Sequence, residues 1–276
     1  MTVTVRGLGY RLRAPPSRRS LSPAPHNPWS AGREPPYSRA MDDLAEPAAL
    51  DALRTVATHH DAEQLLSAAD WTPCGAGDWA FARAAPDADV VARIAPFDPV
   101  GPYTARLYRE AASTGLVPRL LLHRRLDGGG DLQVMQRLED ASEPEAAAFL
   151  GRLALPAPEL MELAQIVGRI HADAQRELPW CGPLDDNPSN VMRTRDGRLL
   201  LTDPYYADGP NLYAAAERDP ERFVGTIPED RRRGMTQIPL ACSGPWSAED
   251  REALRLGIQR ADELATARGR RRASPC

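Results

Sequence analysis

The apolar positions of this chain change period from one end to the other. Between Pro47 and Trp71 they recur as Leu50, Leu53 and Val56, then Leu65 and Leu66 after a polar break, the spacing of a helical face. The stretches Gly75–Phe81 and Val90–Ile94 are short and mostly apolar, and predict two strands joined by a turn at Pro86-Asp87-Ala88-Asp89. Tyr103–Ser113 predicts a helix with Leu107 and Ala111 inward. Two more strands are expected over Arg119–Leu122 and Leu132–Leu138, parted by Asp127-Gly128-Gly129-Gly130. Residues 72–139 thus read β-β-α-β-β. The remainder of the chain is mainly helical. Ser142 and Glu145 have the spacing of a capping box, and Leu160, Leu163, Ile166, Val167 and Ile170 share one helical face. A last helix is expected over 248–267, with Leu254, Ile258 and Leu264 inward.

One short β pattern interrupts the helical half. Val191-Met192-Arg193 and Leu199-Leu200-Leu201 flank Asp196-Gly197, a strong hairpin signal. If Asp196-Gly197 is a two-residue turn, counting outwards sets Asn190 opposite Asp203, with Cβ atoms about 5 Å apart on one face. Asp185 lies on the loop leading in. Two or three such oxygens suit Mg²⁺, which completes its shell with water and phosphate. Taken singly, Asp-Asn-Pro-Ser-Asn is also ordinary turn chemistry; the joint spacing carries the metal reading.

That spacing of Asp185, Asn190, hairpin and Asp203-Pro204 resembles the catalytic centre of the protein-kinase-like superfamily. Within it the match is to the small-molecule branch, the aminoglycoside phosphotransferase family, whose pattern is His-x-Asp-x-x-x-x-Asn. Pro183 stands where that family has its His. The resemblance implies an α+β, two-lobed protein-kinase-like fold, with a small antiparallel-sheet N-lobe over 41–139 and a mainly helical C-lobe over 140–276. It implies a phosphotransferase moving a phosphoryl group from ATP, or GTP, to a hydroxyl of a small molecule such as an antibiotic. Asp185 would be the catalytic group, with Asp186 its competitor, and Asn190 and Asp203 would hold Mg²⁺. Arg93, in Val90-Val91-Ala92-Arg93-Ile94, takes the place of the nucleotide-binding lysine, and Glu110 on the next helix would pair with it. Gly75 and Gly77 resemble a shortened glycine-rich loop. Gln136 and Leu138 fall in the hinge expected to bind the purine, and Met192 would lie beneath the base. His171, near the end of a helix, reads as a packing residue more readily than as a catalyst.

Composition refines this picture. All 34 basic residues are arginine, so no lysine is available for the phosphates anywhere in the chain. A guanidinium is longer and planar, and is not a simple substitute for an ammonium. Together with Pro183, this leaves a second reading: a catalytically impaired pseudokinase that binds nucleotide or acts as a scaffold. The net charge of −4 argues against nucleic acid as a partner, and no apolar run is long enough to span a membrane. The four cysteines lie far apart, which indicates neither zinc nor a disulfide framework and suits a cytoplasmic setting. Residues 1–40 hold seven prolines, Pro15, Pro16, Pro23, Pro25, Pro28, Pro35 and Pro36, and a single acid, Glu34. Such a segment is expected to be a disordered extension. Tyr205, Tyr206, Asp208, Asn211 and Tyr213 are expected on the acceptor side; Glu217, Asp219, Glu229 and Asp230 would make it acidic, but Arg231-Arg232-Arg233 sits alongside to balance them, and such a charge run is more often a solvated face. Oligomeric state is not legible.

Overall fold

The computed structural model describes residues 46–178, 180–208, 212, 218–238 and, in part, 249–263. The extension expected over 1–40 lies outside them, as do Asn211, Tyr213, Glu217, Leu254 and Leu264.

Two short helices come first, α1 (Leu50–Leu53) and α2 (His59–Ala68). The break between them is set by Thr58, which closes a capping box with Asp61 and so starts α2 afresh. A five-stranded antiparallel sheet comes next: β1 (Thr72–Ala76), β2 (Phe81–Ala84), β3 (Val90–Ala95), β4 (Leu120–Arg125) and β5 (Asp131–Gln136), in the order β1-β2-β3-β5-β4. Helix α3 (Gly101–Glu110) connects β3 to β4. This is one strand more than the sequence predicts. The stretch 75–81, read as a single strand, is the end of β1, a tight turn closed by the Gly77 N–H on the Ala80 carbonyl (2.8 Å), and the start of β2. Phe81-Ala82-Arg83-Ala84 carries little β-propensity of its own, and its place between two neighbours makes it a strand.

Alternation along β3 divides the small lobe into two faces. Val90, Ala92 and Ile94 are buried with Leu50, Leu53 and Leu66 of α1 and α2, and with Leu132 and Val134 of β5. Val91 packs instead with the other core. Arg93 has the same parity as Val91, so its side chain leaves the sheet on the face opposite α2.

The large lobe is built on α4 (Glu143–Ala154) and α5 (Met161–Glu177). Leu163, Ile166, Val167 and Ile170 of α5 are buried with Leu107 and Tyr108 of α3, as their period requires. At the start of α4 the capping box is only partial, because the Ser142 hydroxyl bonds the Glu145 carboxylate and no backbone amide. Strand β7 (Cys181–Leu184) pairs with β10 (Tyr205–Ala207), while β6 (Glu139–Asp140), β8 (Val191–Arg193) and β9 (Leu199–Leu201) form a three-stranded sheet. Helix α6 (Pro220–Thr226) opens a strap that returns to the small lobe. The lobes, the strand order and the helix between β3 and β4 make this the two-lobed kinase-like arrangement.

The strap is held at both lobes. Phe223 meets Trp180, with ring centroids 5.7 Å apart, and shares a core with Phe97, Leu212, Met235 and Ile238. The Gly234 N–H donates to the Gly128 carbonyl (2.9 Å). A Cβ on Gly129, at φ +84°, would lie 2.0 Å from the Arg231 carbonyl oxygen. The glycine run that reads as a plain β4–β5 turn is therefore also a docking seat. Among the described residues, no helix is long and apolar enough to cross a membrane.

Candidate active site

The loop before β8 is organised by its own turn chemistry. The Asp185 carboxylate accepts the Asn187 N–H (3.0 Å), and the Asn187 side chain accepts the Ser189 N–H (3.0 Å). The Asp185 N–H donates to the Pro204 carbonyl (2.9 Å), which ties this loop to the residue after Asp203. Asn190 is pinned by its carbonyl, which accepts both the Thr202 N–H (2.8 Å) and the Thr202 hydroxyl (3.0 Å).

The hairpin register differs by one residue from the expected one. Val191 pairs with Leu201 and Arg193 with Leu199, so Asn190 stands opposite Thr202 and Asp203 lies one residue further on. The reason is the turn: Thr194 N–H donates to the Arg198 carbonyl, leaving three residues in the loop, with Gly197 at φ +89°. That is the three-residue connection in which a glycine absorbs the left-handed backbone position. The two metal candidates are therefore staggered along the strands.

Asp203 meets the small lobe. Its carboxylate accepts the Thr104 hydroxyl of α3 (3.0 Å) and lies 3.4 Å from Arg93 Nη2. Two residues of α3, one turn apart, brace this segment, since the Tyr108 hydroxyl donates to the Thr202 carbonyl (2.5 Å). Withdrawal from water pushes the Asp203 carboxyl up to about 6; Arg93 opposes that rise, and the charges of Asp98 and Asp185 add to it. A carboxylate that ionises this reluctantly gains from a cation.

Arg93 does not pair with Glu110. Its Nη1 donates to Asp98 (2.8 Å), a carboxylate only 2% exposed. Asp98 also accepts the N–H groups of Val100 (3.0 Å) and Gly101 (2.8 Å) through its other oxygen, and so fixes the start of α3. Burial works against the charge on Arg93, and Asp98, Asp203 and the nearby Asp131 more than offset it. Glu110 lies on another face of α3 from Thr104, because six residues at 100° each turn the helix well past the cleft. It binds Arg106 (2.6 Å) and Arg169 (2.8 Å). This removes Glu110 from the nucleotide-binding set. Asp98 is not among the residues that the sequence pattern singled out; its one signal is an Asp just ahead of the expected helix, where helix-starting carboxylates occur.

Behind Asp98 lies a buried polar cluster. Asp131 is fully buried and is bonded by His123 (2.9 Å), Arg125 (3.0 Å) and Gln133 (2.8 Å). Burial alone would raise its carboxyl; His123, Arg125 and Arg93 hold it below the ordinary range. Gly101 must be glycine, since a Cβ there would come within 2.6 Å of the Asp131 carboxyl carbon. Arg125 also donates to the Asp98 carbonyl (2.8 Å), which steadies the turn presenting Asp98.

The remaining expected residues occupy mixed positions. Gly75 lies in β1 beside a bulge, and Gly77 in the turn; a Cβ on Gly77 would meet only the Ala80 oxygen at 3.9 Å, so packing does not demand glycine there. Trp79, on the same turn, lies against Phe97, with ring centroids 6.1 Å apart and the rings tilted by 37°. The Gln136 N–H is already given to the Arg119 carbonyl (2.9 Å), so Leu138 is the better hinge candidate. Met192 is half-buried in β8 opposite Leu200. Among the described residues, His171 bonds none of the candidate catalytic groups: its Nε2 meets the Gly182 carbonyl (2.8 Å), and its ring stacks on Tyr205 (6.3 Å). Tyr205 is 3% exposed within the core and so leaves the proposed acceptor wall. Among the described residues, Asn190 makes no side-chain hydrogen bond, and its Nδ2 is buried without a partner.

No family model matches the sequence, and no curated protein matches it either. Among solved structures, a double mutant of the PknI kinase domain from Mycobacterium tuberculosis overlaps 69% of this chain and 94% of its own, at 15% identity and a TM-score of 0.27. The choline kinase LicA from Streptococcus pneumoniae overlaps 71% of this chain and 84% of its own, at 12% identity and a TM-score of 0.24. Overlaps this loose are too small to transfer an activity.

Proposed function

We propose that this protein is a nucleotide-dependent phosphotransferase that moves a phosphoryl group from ATP, or GTP, to a hydroxyl of a small molecule, in the manner of the aminoglycoside phosphotransferase family that its sequence resembles. The observation that carries the reading is the meeting of Arg93, from the small lobe, with Asp203, from the large lobe, at 3.4 Å, beside the Asp185 loop. Transfer of this kind asks for positioning and charge neutralisation more than for covalent chemistry.

The donor set suits Mg²⁺. Asp203 is a partly exposed carboxylate whose ionisation is held back, and Asn190 offers an amide with no other side-chain engagement among the described residues. When bound, the ion would neutralise phosphate charge. Arg93 is held charged and aimed by Asp98, and would contact phosphate oxygens. Asp185 would orient the acceptor hydroxyl and take its proton. Leu138 would meet the purine at the hinge, with Met192 on the opposite side.

A single experiment tests this: transfer of the γ-phosphoryl group from ATP or GTP across a panel of hydroxylated antibiotics and metabolites. The expected result is Mg²⁺-dependent transfer to at least one acceptor, abolished in Asp185→Asn while nucleotide binding persists. Transfer that is equally fast in Asp185→Asn sinks the assignment. The pseudokinase reading draws on one observation, that Arg93 is already engaged by two carboxylates. It predicts nucleotide binding with no transfer to any acceptor.

A further inference from the structure

Helix α2 begins with two histidines and has an acid one turn later. The ligand atoms of His59, His60 and Glu63 all lie within 4.8 Å of one another. The two imidazoles are in contact, with ring centroids 3.9 Å apart and tilted by 41°. His59 is 5% exposed, Glu63 is half-buried and His60 is exposed, so the cluster opens outward through His60. Two imidazole nitrogens and one carboxylate are a donor set of Zn²⁺ and its neighbours, and not of Mg²⁺ or Ca²⁺.

A second observation comes from another part of the chain. The His59 ring is hydrogen-bonded to the side chain of Gln237, on the strap. Histidines that bind metals are commonly held by a hydrogen bond at one ring nitrogen, with the other left for the ion, and Gln237 is placed to give His59 that bond. The positive end of the helix disfavours a cation here, and Asp61 in the same turn works against that field.

We propose that His59, His60 and Glu63 form a binding site for a zinc-class transition metal, with Gln237 as the positioning residue that orients His59. The site lies on the α2 side of the small lobe, on the sheet face opposite Arg93, and is separate from the proposed Mg²⁺ site. It joins α2 to the strap: the ion holds His59, His59 holds Gln237, and Met235 beside it is buried with Phe97 and Phe223. Occupancy would therefore tighten the seat of the strap on the small lobe.

The test uses the full chain, stripped of metal and kept in excess Mg²⁺ so that oxygen-donor sites are filled. Zn²⁺ alone is titrated against a chromophoric chelator, and Co²⁺ absorption reports the ligand geometry. The expected result is one equivalent of Zn²⁺, with affinity lowered at least about tenfold by His60→Ala and by Glu63→Gln, and about tenfold by Gln237→Ala. His60 and Glu63 are not core residues, so these variants keep the test valid even if His59→Ala fails to fold. No binding in excess Mg²⁺, or affinity unchanged in either His60→Ala or Glu63→Gln, overturns the proposal.

Discussion

Two arginine clusters lie at the two faces of α3, and they use the same chemistry to different ends. In the cleft, Arg93 is 20% exposed and sits between Asp98 and Asp203. On the outer side, α3 and α5 face each other through a ladder of polar contacts. Tyr103 donates to Glu177 (2.7 Å), Arg106 binds Asp173 (2.7 Å), Arg169 binds Glu110 (2.8 Å), and Ser113 reaches Glu162 (3.4 Å). The spacing follows the helical period on both partners, in antiparallel order. The ladder is the more numerous set and the weaker one. Its members are a fifth to a half exposed, where water and salt share the charge. The Arg93–Asp98 pair, at 20% and 2% exposure, is withdrawn from water, so removing one partner strands the other. Number of contacts and energetic weight thus run in opposite directions.

The sharpest way to break this comparison is Asp98→Ala. It strands Arg93 and removes the acceptor for two amides at the start of α3, so a loss of about 3 kcal/mol in urea unfolding is expected, together with weaker nucleotide binding. A loss no larger than that of a ladder variant would erase the distinction.

Thr104→Val is next, at about 1 kcal/mol for the lost bond to Asp203. Because that bond favours the ionised carboxylate, its loss should move the Asp203 midpoint further above 6, which titration followed by NMR would read.

Asp203 itself makes a pH test. Its carboxyl titrates near 6 in the folded protein and near 3.8 when unfolded. Between those values the folded state holds more protons, so metal-free stability should fall as pH rises from about 4 to about 6 and be level above. Asp203→Asn should remove that slope. In the parent, Mg²⁺ affinity should drop as pH falls below 6, since protonation takes away the ligand.

The smallest effect is expected for Glu110→Gln. The ladder should lose less than about 0.5 kcal/mol, and less still in high salt. Transfer activity should be unchanged. A large loss of activity would return Glu110 to the cleft and contradict the geometry of Arg93 and Asp98.

The sequence alone determined the kind of molecule. Periods of two and of three to four residues marked most strands and helices, and turn residues marked their ends, because these signals are local. It also singled out Asp185, Asn190, Asp203 and Arg93 as candidates, through spacing along contiguous segments. It did not resolve β1 from β2, since Phe81-Ala82-Arg83-Ala84 becomes a strand only between neighbours that pair with it. It set the hairpin register off by one residue, because a two-residue and a three-residue turn around Asp-Gly look alike until the backbone places its glycine. The partner of Arg93 was decided by tertiary structure. A count of residues to Glu110 carries no information about which face of α3 it occupies, whereas folding sets Asp98 beside the guanidinium and turns Glu110 toward α5. The same holds for His59 and Gln237, 178 positions apart in the chain and joined only by the return of the strap.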